Sequence, residues 1–327
     1  MRKGAKELLL ELEARRRAGD FTGKVAGSYP LSRHTTYKLG GAAEVYVQPE
    51  SERDLAILRE ALLHFSGMNV TVLGRGSNVL IADAGINGVV IRLGEGFNYF
   101  NELSDRSGVK AGGVVALPML ARWAGERGYL GLEFGVGIPA SVGGAVRMNA
   151  GGHGSEIKEV LASARVFDLD SGPKDIEVAD LGLAYRTSKL SPLEIVIEAT
   201  FSLGRGDPDE IRERMNEISR WRRDNQPGGI PSAGSVFKNP PGNSAGRLID
   251  EAGCKGMRVG GAEVSSKHAN FFVASEGAKS SDVVALMVMV RRRVFDRFGV
   301  LLEPEIRLVG DFGDIAAELW STRPKLG

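Results

Sequence analysis

The sequence predicts an α+β protein built from more than one domain. The chain has 327 residues, a length typical of two or three domains. Short β-branched segments alternate with longer amphipathic ones, and the 44 glycines gather in clusters between them. Near the N-terminus the order is strand, helix, strand and glycine-rich turn, which indicates an α+β layout with possible parallel pairing.

Each element follows from a local pattern. Residues 2–18 form a predicted helix because Leu8, Leu9 and Leu12 make one apolar stripe among charged residues. Ser51 has the chemistry of an N-cap for a helix to Leu63. Further helices are predicted over 117–127, 245–252 and 281–298, and another, capped by Asp207 or Asp209, runs to about Arg223. Strands are predicted over 44–48, 69–73, 79–81, 88–93, 109–111, 162–169, 195–203, 235–238, 269–274 and 305–309.

Composition narrows the possible functions. Basic and acidic side chains nearly cancel, at 42 against 41, so no general charge argument supports nucleic acid or an anionic membrane as a partner. The single cysteine, Cys254, fits a reducing compartment, and the four histidines show no metal-ligand spacing. The longest apolar run, 283–290, is too short to span a bilayer. We therefore expect a cytoplasmic protein without a metal site.

Two glycine-rich segments carry the first functional signal. Residues 74–78, Gly-Arg-Gly-Ser-Asn, directly follow a predicted strand and match neither the P-loop nor the Gly-x-Gly-x-x-Gly pattern. Residues 135–152 contain six glycines around an apolar run. The turn into a helix at Gly143 and Gly144 predicts free N–H groups beside a phosphate. Two such loops together suggest a dinucleotide held at several points.

Three later segments have side chains suited to binding or proton transfer. Arg186, beside Tyr185, has the chemistry to grip a carboxylate, although a surface arginine with a packed tyrosine is the alternative. Ser235 follows a glycine turn and opens a predicted strand, which could display its hydroxyl group. The alternative interpretation is a β-hairpin with a polar edge. Glu305 opens the last predicted strand, where a lone glutamate usually faces solvent.

In their order along the chain, these segments closely resemble the UDP-N-acetylenolpyruvoylglucosamine reductase family, whose members are FAD enzymes of peptidoglycan precursor synthesis. The resemblance covers about residues 30–310. The chain is similar to the shorter, type II form of the family, because no obvious insertion follows the Tyr185-Arg186 motif. The matching segments are 34–41, 74–80, 137–151, 185–188, 232–240, 245–250, 267–271 and 303–310.

The resemblance implies an FAD-binding domain of the vanillyl-alcohol-oxidase (PCMH) type and a C-terminal α+β domain that binds substrate. We expect the first over 30–204, with subdomains of about 30–93 and 94–204, and the second over 205–310. Residues 1–29 would be a helical extension and 311–327 a tail. A monomer in the bacterial cytoplasm is expected.

The resemblance also implies the reaction and its residues. NADPH would reduce FAD and leave, and hydride would then pass from flavin N5 to C3 of the enolpyruvyl group of the UDP-sugar substrate. Ser235 would protonate C2, while Arg186 and Glu305 stabilise the enolate intermediate. The FAD contacts implied, besides Arg186, are Gly74, Arg75, Gly76, Ser77, Asn78, Val79, Leu80, Gly137, Ile138, Pro139, Ser141, Gly143, Gly144 and Ala145. The implied substrate contacts are Tyr185, Gln226, Lys238, Asn239, Lys267 and His268.

Two alternatives stay open from the sequence. Another FAD oxidoreductase, such as an oxidase of alcohols or sugars, would keep the glycine-rich loops without needing the Arg186, Ser235 and Glu305 contexts. A nucleotide-binding scaffold protein without catalysis would need neither the trio nor NADPH.

Overall fold

The computed structural model describes residues 1–65 and 67–321, which divide into two compact units. The first comprises Met1–Tyr29, Ala43–Arg75 and Asn87–Arg222. The second comprises Pro30–Ala42, Gly76–Ile86 and Arg223–Gly327. Both units are therefore discontinuous in sequence, unlike the contiguous division predicted.

Helices and strands alternate through the described residues. The helices are α1 (Lys3–Arg17), α2 (Glu52–Leu63), α3 (Leu117–Gly125), α4 (Val142–Arg147), α5 (Pro208–Asn225), α6 (Ala245–Glu251), α7 (Ser280–Phe298) and α8 (Asp314–Ala317). The strands are β1 (Lys24–Pro30), β2 (Ala42–Gln48), β3 (Val70–Val72), β4 (Val79–Ile81), β5 (Ile86–Ile91), β6 (Phe100–Glu102), β7 (Gly108–Gly112), β8 (Tyr129–Leu130), β9 (Gly151–Gly152), β10 (Ser155–Glu156), β11 (Leu161–Asp168), β12 (Gly172–Glu177), β13 (Glu194–Ser202), β14 (Gly204–Arg205), β15 (Arg258–Val259), β16 (Ala262–Val264), β17 (Phe272–Ala274) and β18 (Arg307–Val309).

A four-stranded sheet of order β1-β2-β5-β3 begins the first unit. Its β3 and β5 run parallel, so parallel pairing, which the order of the elements made possible, is present, although β2 and β3 are not neighbours. The apolar stripe of α1 packs into this core through the fully buried Leu8 and Leu12. The Ser51 hydroxyl accepts from the Asp54 N–H at 3.1 Å, so α2 has the predicted N-cap. The N-terminal helix is thus part of the core of this unit.

The first unit also contains an antiparallel sheet of order β12-β11-β13-β7-β6. Helix α4 packs on β13, the central strand, with Val142, Ala145 and Val146 buried in the core. The register of β11 against β13 shifts twice along the strand. This sheet is the support for the glycine-rich segment that precedes and forms α4.

The second unit joins an early segment of the chain to its C-terminal part. Strand β4 pairs in parallel with β18, in the register Val79 to Arg307. The Tyr37 hydroxyl donates to the Phe272 carbonyl at 3.0 Å and lies within the core that α7 and β15-β16-β17 cover. These contacts explain why residues 30–42 and 76–86 group with the C-terminal residues.

Several predicted strands differ from the structure, and the one predicted over 269–274 is confined to Phe272–Ala274. Residues 235–238 do not form a strand. Ser235 makes an isolated bridge with Phe271 and Phe237 makes one with Pro304, so the two residues pair with different segments. The last strand begins at Arg307 rather than Glu305. The predicted tail contains α8, and its residues 322–327 lie outside the described residues.

None of the described helices combines the length and the apolar character that crossing a membrane would require.

Two buried tyrosines predict opposite effects of losing a hydroxyl group. Tyr37 and Tyr129 are each 1% exposed, but no described residue pairs with the Tyr129 hydroxyl. We expect Tyr37→Phe to lower the free energy of unfolding by about 1–2 kcal/mol, because it leaves the Phe272 carbonyl without this donor. Tyr129→Phe should be neutral or stabilising. Denaturant unfolding followed by circular dichroism tests the pair, and equal losses in both variants would contradict this account.

Candidate active site

A cleft in the first unit is lined by the start of one glycine-rich segment, Gly74 and Arg75, and by part of the other. It encloses about 580 Å³, a figure that includes open solvent at its mouth. The cleft is lined by Val72, Leu73, Gly74, Arg75, Arg92, Leu93, Gly113, Val114, Ser141, Gly143, Gly144, Arg147, Glu194, Ile195 and Val196. Gly74, Arg75, Ser141, Gly143 and Gly144 are therefore at one cleft, as the sequence suggested.

Three arginines and one acidic residue, Glu194, line this cleft, and Glu194 is paired with Lys174 at 2.6 Å. Arg75 is exposed and has no ion-pair partner among the described residues. Arg147 donates to the backbone carbonyls of Ser191 and Glu194, each at 2.6 Å. These two uncharged acceptors fix the position of the guanidinium and do not neutralise its charge. Arg92 is the third arginine in the lining. The cleft therefore suits an anionic ligand.

The backbone of residues 74–78 offers unpaired donors. Within residues 1–65 and 67–321, the N–H groups of these five positions make no hydrogen bond. Gly76 has a φ of 66°, and a Cβ placed there would lie 2.0 Å from the His34 carbonyl oxygen. Only glycine fits this position, and successive free N–H groups in such a turn form an anion-binding concavity.

The N-terminus of α4 differs from the prediction. The N–H groups of Val142 and Gly143 donate to the carbonyls of Val115 and Gly113, at 2.8 and 3.0 Å. The Gly144 N–H donates to the Ser141 hydroxyl at 3.2 Å. The expectation of free N–H groups here is therefore wrong, because the neighbouring backbone already pairs them. A Cβ on Gly143 would lie 2.8 Å from the Val196 oxygen, so this glycine permits close packing.

The remaining predicted FAD contacts lie elsewhere in their units. Ala145 is fully buried in the core of the first unit, and Leu80 in that of the second. Val79 begins β4, next to Leu80. Gly137, Ile138 and Pro139 precede α4 and are not part of the cleft lining. Their contacts with a cofactor stay predictions.

Tyr185 and Arg186 occupy the corner of a tight turn in the first unit. Ala184 and Thr187 close the turn with two backbone hydrogen bonds of 3.1 Å. Arg186 has a φ of 57°, a conformation that is strained for a residue with a side chain and is most often kept at functional sites. Its Nη2 donates to the Gly151 carbonyl at 3.1 Å. The turn thus displays the arginine in a fixed direction.

The side chain of Asn149 fixes this turn by a hydrogen bond to its first residue, Ala184. It is fully buried, and its Nδ2 donates to the Ala184 carbonyl at 3.2 Å and to Glu156 Oε2 at 2.9 Å. Its Oδ1 accepts from the Lys158 N–H at 2.9 Å. Sequence reasoning missed this residue because its partner Ala184 is 35 positions away.

In the second unit, the structure brings the backbones that carry Ser235 and Glu305 side by side. The Glu305 N–H donates to the Val236 carbonyl at 2.8 Å, directly after Ser235. Both residues are half-buried. Gly234, with a φ of 72°, makes the turn before Ser235. Arg186 belongs to the first unit.

Asn270 clamps the segment after Ser235. Its Oδ1 accepts from the Phe237 N–H at 3.0 Å, and its Nδ2 donates to the Phe237 carbonyl at 2.8 Å. Its own carbonyl accepts from the Val236 N–H at 2.8 Å. The side chain is 3% exposed, so it replaces a strand partner in the core. No local pattern in the sequence identified this role.

Three of the predicted substrate contacts have ion-pair or hydrogen-bond partners. Lys238 forms an ion pair with Glu303 at 2.5 Å, and Lys267 Nζ donates to the Arg223 carbonyl. The half-buried Gln226 follows α5. Asn239 Oδ1 accepts from the Ala245 N–H at 3.0 Å, at the start of α6. The role of these residues in binding substrate stays a prediction.

The surroundings of His268, which is half-buried, favour the neutral form of its imidazole. Burial lowers its pKa, and its Nδ1 accepts from the Asn270 N–H at 3.2 Å. The proton of the neutral ring is then on Nε2, which makes that atom a hydrogen-bond donor.

Comparison with known proteins identifies the family. Residues 226–309 match the C-terminal domain of UDP-N-acetylenolpyruvoylglucosamine reductase, and residues 43–173 match an FAD binding domain. The chain is 45% identical to the Heliobacterium modesticaldum reductase of that name, over 90% of this chain and 93% of the relative. The Rubrobacter xylanophilus reductase is 44% identical, over 86% and 94%.

A solved structure agrees with these matches. The crystal structure of the reductase from Thermus caldophilus is 39% identical and covers 88% of this chain and 98% of its own, with a TM-score of 0.73. The predicted fold class, with an FAD-binding domain and a C-terminal α+β domain, is confirmed. FAD is accordingly the cofactor. The chain belongs to the UDP-N-acetylenolpyruvoylglucosamine reductase family.

Proposed function

We propose that this protein uses NADPH to reduce the enolpyruvyl ether of a UDP-N-acetylglucosamine derivative, forming UDP-N-acetylmuramate. The observation that carries the proposal is the hydrogen-bonded register between Glu305 and Val236, which fixes Ser235 and Glu305 on neighbouring segments. A hydroxyl and a carboxyl group held in this way are suited to completing a reduction by delivering a proton.

The residues present fit FAD. Unpaired N–H groups at 74–78 would bind its pyrophosphate, and Arg75 would add positive charge. Arg92 and Arg147 line the same cleft as Gly74 and Arg75. When bound, FAD supplies the hydride chemistry that no side chain provides. Since α4 has its first N–H groups paired, we assign the pyrophosphate to the turn at 74–78 rather than to α4.

Arg186 would hold the substrate carboxylate. A guanidinium forms a bidentate pair with a carboxylate, and this geometry also stabilises the charge that develops when the double bond is reduced. The strained turn and the hydrogen bond to Gly151 restrict its side chain before substrate arrives. Less ordering is then needed on binding.

Ser235 would protonate C2, the carbon next to the carboxylate. An alcohol is a weak acid, but an enolate carbon is a strong base, so a weak donor at hydrogen-bond distance is sufficient. Glu305 would act beside it. The carboxyl group would either orient the arginine or, in its protonated form, donate a hydrogen bond to the enolate.

The UDP group would meet polar residues of the second unit. Asn239 and Lys238, with Gln226, Lys267 and His268, have amide, ammonium and imidazole donors suited to phosphate and sugar oxygens. Because Lys238 is paired with Glu303, binding of a diphosphate there would exchange one anionic partner for another. We propose that NADPH leaves before the sugar nucleotide binds.

The proposal is tested with the purified protein. It should be yellow and should oxidise more NADPH than one equivalent per flavin only when the enolpyruvyl UDP-sugar is added, with UDP-N-acetylmuramate as product. Flavin reduction by alcohols or free sugars instead of by NADPH would indicate a different oxidoreductase. A colourless protein that does not take up FAD would contradict both enzymatic interpretations.

Ser235→Ala should separate the two half-reactions. Flavin reduction by NADPH should stay within about twofold of the parent protein, because Ser235 acts on the second substrate only. Reoxidation by the enolpyruvyl UDP-sugar should fall by at least 10²-fold, the usual contribution of a general acid. Stopped-flow absorbance at the flavin band measures both rates. Equal loss of both would argue against the acid role.

Gly76→Ala should release the cofactor. The added Cβ would collide with the His34 carbonyl and distort the turn that we assign to the pyrophosphate. Gly242→Ala is the matched control, since Gly242 has a φ of 69° with no atom within 4 Å of an added Cβ. Both carry backbone strain of about 1–2 kcal/mol, but only Gly76→Ala should lose its flavin absorbance on desalting. Full flavin retention by Gly76→Ala would rule out this assignment.

A further inference from the structure

Asn78 ends the glycine-rich turn and contacts the segment that carries Glu305. Its Nδ2 donates to the Glu305 carbonyl at 3.1 Å. Its own carbonyl accepts from the Arg307 N–H at 3.0 Å. Both contacts lie within the second unit and join positions more than two hundred residues apart. One residue of the turn thus binds the backbone on both sides of Ile306.

The side chain of Asn78 adds one hydrogen bond before the first backbone pair of strands β4 and β18. Strands β4 and β18 begin their parallel register at Val79 and Arg307. Glu305 lies before this register, so its carbonyl has no β4 backbone partner in line with it. The Asn78 carboxamide supplies that partner. Since the Glu305 N–H is bound by the Val236 carbonyl, both polar groups of the Glu305 backbone are held.

We propose that Asn78 is a positioning residue that links the FAD-binding turn to Glu305. The inference rests on the proposed function, in which the N–H groups of 74–78 bind the FAD pyrophosphate and Glu305 acts on the substrate. Binding of the pyrophosphate orders the turn, and the carboxamide transmits this order to the Glu305 backbone. Asn78 then acts through Glu305 and does not itself touch the reacting atoms.

A neighbouring hydrogen bond provides the control for a general effect on the turn. Thr36 Oγ1 donates to the Gly76 carbonyl at 3.3 Å, in the same turn and the same unit. Thr36→Val removes this bond while keeping the shape of the side chain. It leaves the link between Asn78 and Glu305 intact.

The first test compares Asn78→Ala with Thr36→Val in the FAD-loaded enzyme. Asn78→Ala keeps every backbone N–H of the turn, so the FAD dissociation constant and the rate of reduction by NADPH should stay within about twofold. Reoxidation by the enolpyruvyl UDP-sugar should slow by about tenfold, the rate equivalent of one hydrogen bond. Thr36→Val should leave all three within about twofold. Equal slowing of both half-reactions, or the same defect in Thr36→Val, would overturn the positioning role.

The second test asks whether Asn78 acts through Glu305. In a double-mutant cycle, Asn78→Ala should add less than about twofold to the reoxidation defect of Glu305→Gln. A further tenfold loss in the double variant would show an independent effect and overturn the inference. If Glu305→Gln alone leaves reoxidation unchanged, the role proposed for Glu305 is wrong, and the positioning role falls with it. If reoxidation is slowed in Glu305→Gln but has the parent rate in Asn78→Ala, only the role of Asn78 is overturned.

The third test has a readout that does not depend on turnover. Hydrogen–deuterium exchange of peptides spanning 303–309 should slow when FAD is added to the apoprotein. This protection should shrink in Asn78→Ala and persist in Thr36→Val. Protection by FAD that is unchanged in Asn78→Ala would contradict transmission through the carboxamide.

Discussion

Buried peptide groups must be paired, and the candidate active site depends on how this protein pairs them where its strands stop. Asn270 binds both polar groups of Phe237, while Asn149 and Asn78 each donate to one carbonyl. A carboxamide has a donor and an acceptor on one rigid plane, so it can replace a strand partner. An aspartate in its ionised form has no donor to offer. The segments carrying the proposed catalytic residues are therefore fixed by side chains rather than by long strand pairs.

The proposed chemistry explains why such fixation is needed. A serine hydroxyl is a poor acid, so its usefulness depends on its lying within hydrogen-bond distance of the carbon that it protonates. An error of about 1 Å in placing a reacting group lowers a rate by about a hundredfold. Ser235 has no acidic neighbour in sequence to raise its reactivity. Its contribution would come from placement by Gly234 on one side and by the Val236 and Phe237 contacts on the other.

The sequence predicted features that depend on local patterns. The glycine turn at 74–78, the Ser51 cap and the helix at α7 follow from residue type and spacing, and all are present. The roles of the asparagines could not be predicted in this way. Asn149, Asn270 and Asn78 reach partners that are 35, 33 and 227 positions away, respectively. The paired N–H groups of Val142 and Gly143 were missed for the same reason, because their acceptors belong to a loop more than twenty residues earlier.

The longest of these contacts also affects how the site forms. Strand β4 follows the cofactor turn directly, but its parallel partner, β18, lies near the other end of the chain. Closing so long a loop costs conformational entropy before the contacts it makes can stabilise the fold. Until β18 is in place, residues 76–81 lack the pairing that holds the second half of the turn, and Asn78 lacks the Glu305 carbonyl. The turn that we assign to FAD and the segment that carries Glu305 therefore become ordered together. A cofactor that binds this turn stabilises the same long-range pairing on which the position of Glu305 depends.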